Sequence, residues 1–176
     1  MRKLRTEELQ RLSPADYREA AKLPVAVILD QVRSMHNVGS VFRTADAFRI
    51  GQLWLCGITP RPPHREIHKT ALGAEDTVPW HEAPDAASAA SALKSQGYRI
   101  LCIEQTDRSI PLPALRLDPQ QPVAVVFGHE IDGVSEAVLA LADAAVEIPQ
   151  HGTKHSLNVS VAAGIVLYAL AQQLGG

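Results

Sequence analysis

The residues that could do chemistry gather in polar stretches between apolar runs. Residues 123 to 163 hold two of these stretches. In the first, Gly128 and Gly133 bracket His129, Glu130, Ile131 and Asp132, an acidic turn whose glycines free the backbone from Cβ clashes. In the second, Ser156, Asn158 and Ser160 open a long apolar run. These side chains either satisfy the free N–H groups of a helix start or form a small-molecule site at a loop–helix junction. A third stretch runs from Asp30 to Phe48 and contains Asn37 and Arg43. On spacing alone Asn37 reads as a helix cap and Arg43 as a surface charge, or both belong to a site. Two nucleotide chemistries fail on the residues themselves. Gly128 and Gly133 have phosphate-loop spacing, but Val134 stands where that loop requires lysine, and no G-x-G-x-x-G occurs.

The elements that must position these residues follow from periodicity. Val25 to Leu29, Leu53 to Cys56, Arg99 to Ile103, Val123 to Phe127 and Ala145 to Ile148 are short apolar runs suited to strands buried on both faces. Val38, Val41, Phe42, Ala45 and Phe48 recur at helical spacing, which predicts a helix over 38–48. Helices are also predicted over 6–22 (with a fresh start at Pro14, capped by Ser13), over 86–96, over 134–143, and from Ser156 onward, Ser156 acting as the cap. A short helix ending near Gly73 follows the basic loop 59–69. Strand and helix alternate, so the expected architecture is α/β, a mainly parallel sheet flanked by helices. Ligands in such sheets bind beyond the carboxyl ends of the strands. Asp30–Asn37, Glu104–Thr106, Gly128–Gly133 and Ile148–Ser156 all fall there.

With 176 residues the chain is expected to be one domain, a helical extension over 1–23 preceding the main unit over 24–176. Cys56 and Cys102 lie inside apolar runs and read as buried thiols, which suits a reducing cytoplasm. The amino terminus has no apolar stretch of the signal-peptide kind, and the apolar part of the last helix is too short to span a bilayer. The net charge is −2, yet basic residues cluster over 2–22 and 61–69. That distribution is either a solvated surface or a local footprint for a polyanion.

The motifs NVGSVFRTADAF at 37–48, FGHEIDGVS at 127–135 and IPQHGTKHSLNVSVAAGIVLY at 148–168 resemble, in order, the three motifs of the SpoU (TrmH-like) branch of the SPOUT methyltransferases. The resemblance implies transfer of a methyl group from S-adenosylmethionine to a ribose 2′-hydroxyl in tRNA or rRNA. It also implies a deep C-terminal trefoil knot and a homodimer that covers the apolar last helix. By motif match, Arg43 resembles the catalytic arginine, with Asn37 positioning it; Glu130, Ser156 and Asn158 complete the catalytic set. Gly128, Ile148, Ser156 and Leu157 match cofactor-contacting positions, joined by Glu104, Gln105 and Thr106 from their placement. Arg33, Arg61 and Arg65 are the expected RNA contacts. Gln150 departs from the family pattern, in which methionine commonly follows the proline.

A ribose hydroxyl must lose its proton as it attacks the methyl carbon. A guanidinium near it either stabilises the developing negative charge or takes the proton. The sulfonium leaves as a neutral thioether, so this chemistry requires no metal. The competing class is a non-catalytic RNA-binding or assembly protein with the same fold. It is disfavoured because a binder needs no methyl-donor site. tRNA is preferred over rRNA for a chain of this size.

Overall fold

Sheet order places the middle of the sheet under the motif stretches. The computed structural model describes residues 1–175. Strands β1 (Leu23–Asp30), β2 (Ile50–Cys56), β3 (Trp80–Ala83), β4 (Arg99–Ile103), β5 (Ile110–Pro111), β6 (Val123–Phe127) and β7 (Ala144–Glu147) form one sheet in the order β3-β2-β1-β6-β4-β7-β5. Every ladder is parallel. The α-helices are α1 (Pro14–Glu19), α2 (Met35–Ala47), α3 (Arg65–Ala71), α4 (Ala86–Ser95), α5 (Glu136–Leu139) and α6 (Val159–Leu174).

Alternation along each strand splits the core into two layers. Val25, Val27 and Leu29 of β1 face α2 and α6 through Val38, Val41, Phe42, Ala163, Val166 and Leu167. Ala26 and Ile28 face the other way, onto Ala86, Ala89, Ala90 and Leu93 of α4. Gly39 is where α2 meets α3: a methyl group there would collide with Thr70 Oγ1 and the Ile67 carbonyl. Cys56 and Cys102 are free thiols, buried between strands and α4. Burial, with Asp30 nearby, pushes both up to about 12, so neither is a thiolate at neutral pH.

Several boundaries differ from the periodicity reading. α2 begins before Val38 because the Ser34 hydroxyl accepts the Asn37 N–H at 3.3 Å, so Ser34 rather than Asn37 is the cap. α6 begins at Val159, not Ser156; its cap is Asn158, whose Oδ1 accepts the Ser160 N–H at 2.9 Å. The expected helix over 134–143 shortens to α5. The chain after it is drawn onto the sheet, where the Asp143 N–H donates to the Ile100 carbonyl at 2.8 Å and Asp143 Oδ2 accepts the Ile100 N–H. The extension over 6–22 is not one helix but a 3-10 turn, Thr6–Leu9, followed by α1. There the Ser13 cap appears as read, accepting the Asp16 N–H at 3.1 Å. β3 and β5 gave no apolar run to detect: the first is Trp-His-Glu-Ala between prolines, the second only Ile110–Pro111.

Candidate active site

β6 delivers Phe127 into the turn Gly128–Gly133, which closes on itself through paired 3.0 Å hydrogen bonds between His129 and Gly133. The closure needs glycine twice. A methyl group on Gly128 would overlap the backbone of Gly133 and Val134, and Gly133 has φ +70°. Two carboxylates from neighbouring strand ends hold the next residues. Glu104, after β4, accepts the Val134 N–H at 3.0 Å and the Gln105 N–H at 2.8 Å. Asp30, buried at the end of β1, accepts the Ser135 N–H at 2.9 Å. Buried backbone donors need such partners, so these acids fix the turn in place.

Glu130 joins that turn to α2. Its carboxylate accepts N–H groups from Arg33 at 3.2 Å and Ser34 at 3.1 Å, and the Asn37 amide at 3.3 Å. Asn37 Oδ1 in turn accepts from Asn158 Nδ2 at 3.2 Å, while Asn158 Oδ1 caps α6. All three motif stretches therefore meet in one hydrogen-bond chain: Glu130, Asn37, Asn158. Burial pushes the Glu130 carboxyl up, but N–H donation from Arg33, its own backbone, Ser34 and Asn37 outweighs it and holds the group below its ordinary 4.5. A depressed carboxyl stabilises the fold above that value and loses the contribution as pH falls through the folded value. The expected result is a steeper fall in melting temperature below pH 4.5 for the native chain than for Glu130→Gln. Parallel curves would remove Glu130 from the acid response.

Beyond this chain of bonds lies a cavity of about 470 Å³ at the carboxyl ends of β4, β6 and β7. Ile103, Phe127, Val146, Ile148, Leu157 and Ala162 supply its apolar surface; Glu104, Gln105, Glu130, Gln150, Ser156 and Asn158 supply polar groups. Its size and mixed lining suit a nucleoside-sized molecule. Gln105 Nε2 donates to the His155 carbonyl at 2.7 Å, which ties the β4 end to the 149–158 loop.

Glu104, Gln105, Gly128, Glu130, Ile148, Ser156, Leu157 and Asn158 thus come together around one cavity. Thr106 is not on its wall; its hydroxyl accepts the Arg108 N–H at 3.2 Å in a local turn. Arg43 is exposed on α2 and is not one of the residues lining the cavity. The amide of Asn37 bonds to Glu130 and Asn158, and no hydrogen bond among the described residues joins it to Arg43. Arg33, Arg61 and Arg65 lie outside the cavity, and Arg61 pairs with Glu82 at 3.2 Å. Sequence reasoning missed the clamp made by Asp30 and the lining by His129 and His155. An acid ending a fully buried strand was the available signal for Asp30. Among the described residues no cluster of histidine, cysteine, aspartate or glutamate has a metal-binding arrangement.

A parallel sheet covered on both faces, with a cavity beyond its central strand ends, defines a doubly wound α/β protein that binds a small molecule at that edge. The family model "SpoU rRNA Methylase family" matches residues 24–168, and the chain belongs to that family. It is 33% identical over 172 residues to a tRNA (guanosine(18)-2′-O)-methyltransferase of Thermus thermophilus, covering 98% of this chain and 82% of the relative. The Escherichia coli protein of the same name is 32% identical over 149 residues, with 85% of this chain and 63% of the relative aligned. Among solved structures, the A. aeolicus TrmH/SpoU tRNA modifying enzyme superposes with a TM-score of 0.79 at 26% identity, covering 91% of this chain and 81% of that one. An AdoMet-bound rRNA methyltransferase from Sinorhizobium meliloti gives 0.79 at 28% identity, covering 94% and 62%.

Proposed function

We propose that this chain transfers a methyl group from S-adenosylmethionine to a ribose 2′-hydroxyl in structured RNA, with tRNA the preferred substrate. The observation that carries the reading is the bonded set Glu130–Asn37–Asn158 beside a cavity of nucleoside size, assembled from the three family motifs. Relatives named for 2′-O-methylation of tRNA, and a cofactor-bound relative of the same fold, support it.

The lining fits S-adenosylmethionine: apolar Ile103, Ile148 and Leu157 can take a flat base, and the carboxylates of Glu104 and Glu130 lie where a cation is favoured. When bound, the cofactor supplies an electrophilic methyl group on a positively charged sulfur. Asn158 and Ser156, on the cavity wall, orient the acceptor ribose; Glu130 holds the start of α2 directly and the start of α6 through Asn37. Arg43 stands outside the wall, so its guanidinium meets RNA phosphate and the ribose oxygen rather than the cofactor. The rest is positioning of two reactants.

The same reading includes a homodimer, a C-terminal knot, a catalytic unit over 24–176 and a cytoplasmic location. Support for the dimer lies on α6. Its inner stripe is fully buried, while Val161, Ile165 and Tyr168 remain 50%, 39% and 54% exposed. Sedimentation should give a dimer, and Val161→Glu with Tyr168→Glu a folded monomer. A native monomer at micromolar concentration would overturn this. Support for the knot is topological: β6 inserts between β1 and β4, and α6 returns to the α2 face after β7 at the far side of β4. The free thiols suit the cytoplasm.

The deciding experiment offers labelled S-adenosylmethionine with tRNA and, separately, rRNA, both from cells lacking this gene. Labelled 2′-O-methylnucleosides after digestion of tRNA are expected. Cofactor binding without transfer to either pool would refute the preferred substrate, and no cofactor binding would refute the enzyme.

A further inference from the structure

A second cavity, of about 530 Å³, lies away from the first and is built by residues 62–80. Pro62, Pro63 and Trp80 give it apolar ring faces, and Arg65, His68, Glu75 and Asp76 supply its charged and polar lining. Of its two acids, Asp76 is exposed and Glu75 is already committed. Glu75 Oε1 lies 2.5 Å from His68 Nδ1, and Glu75 Oε2 accepts the Gly73 N–H at 3.0 Å. Arg65, by contrast, has no side-chain hydrogen bond or ion pair among the described residues. Arg18 of α1 brings a second cation close by, its guanidinium 3.5 Å from the carbonyl of Asp76, a lining residue.

We propose that this cavity holds one unstacked nucleotide of the RNA substrate, its base against Trp80 and the prolines and its phosphate toward Arg65 and Arg18. A base offers a flat π-face that stacks on aromatic rings, and a phosphate calls for guanidinium; the cavity presents both side by side. Its position fits a strand that also enters the first cavity. His36 Nε2 lies 3.0 Å from Glu66 Oε2, and Thr70 Oγ1 donates to the His36 carbonyl at 3.0 Å. The first turn of α3, with Arg65, is therefore docked on the first turn of α2, with Asn37. Arg65 lines the second cavity and Asn37 bonds to Asn158 of the first, so this helix pair links the two linings. The proposal rests on the RNA substrate inferred above, and adds where a second nucleotide of it is gripped.

The chain has two tryptophans, so Trp54→Phe leaves Trp80 as the sole tryptophan, excited selectively over the tyrosines at long wavelength. Unfractionated tRNA should quench Trp80 emission saturably in that protein. Trp80→Leu should raise KM for tRNA about tenfold, the scale of one lost stacking contact, with kcat and cofactor affinity unchanged. Arg65→Gln should raise KM and flatten its salt dependence. Trp80 emission unmoved by tRNA, in a preparation that methylates tRNA, would overturn the proposal, as would an unchanged KM in folded Trp80→Leu. Should Trp80→Leu not fold, the quenching experiment decides. Quenching by free nucleoside monophosphates but not by tRNA would also overturn it, in favour of a small-effector pocket. Failure to methylate any RNA would refute the methyltransferase reading, whereas tRNA quenching in that same preparation would still support the cavity.

Discussion

Arg43→Ala is expected to lower methyl transfer by about 10²–10³-fold while cofactor affinity stays unchanged. The separation follows from placement. Arg43 is exposed on α2 and absent from the cavity wall, so its loss removes no contact to a molecule seated among Ile103, Phe127 and Leu157. In the proposed mechanism, what it removes is positive charge where the ribose oxygen becomes negative. Arg43→Lys separates two roles. A lysine that restores much of the rate would assign electrostatic stabilisation, since its charge survives the change; one that restores none would assign the planar, forked geometry of guanidinium. Calorimetric cofactor binding and single-turnover transfer to tRNA are the measurements. Unchanged turnover in Arg43→Ala would remove the residue from the chemistry.

Gly128→Ala is expected to abolish cofactor binding in a protein that still folds. A methyl group at this position has no space: it would overlap Gly133 C, Gly133 O and Val134 N, all backbone atoms that cannot turn aside like a side chain. Relief requires opening the His129–Gly133 closure, and with it the carboxylate clamps from Glu104 and Asp30 on residues 134 and 135. β6 itself lies upstream and fully buried, so the sheet should persist with normal far-ultraviolet dichroism. Retained cofactor affinity in this variant would show that the turn is not a wall of the functional cavity. The contrast between the two variants is diagnostic. One loses rate without losing the cofactor, the other loses the cofactor itself.

β1, β2, β4, β6 and β7 were legible as short apolar runs, whereas β3 and β5, partly exposed, were not. Arg99–Ile103 and Val123–Phe127 were located to the residue, since an uninterrupted apolar run has few other uses. α4 was nearly as clear, with alanines at helical spacing ended by Gly97 at φ +88°. The start of α6 was not. Ser156 and Asn158 are both good caps by type, and the exposed 151–158 loop carries no apolar signal to choose between them. The choice falls to Asn158 because its amide also reaches Asn37, which is distant in sequence. α5 fails for a similar reason: its helical pattern continues, but Asp143 is bonded to β4 and the helix stops.

The residue types of the site, their order along the chain and their attachment to strand ends follow from the sequence alone, as do the buried thiols and the parallel sheet. These are local properties of apolar period, turn residues and motif spacing. The tertiary structure decided which of those residues share an enclosure. It made Glu130 a bond between the turn and α2, turned Asn37 toward Asn158, gave Glu104 and Asp30 the backbone of residues 134 and 135, and left Arg43 outside. Each of these partnerships joins segments far apart in the chain. Hydrogen-bond direction and reach depend on where the sheet brings such segments, and periodicity along one segment carries no information about that.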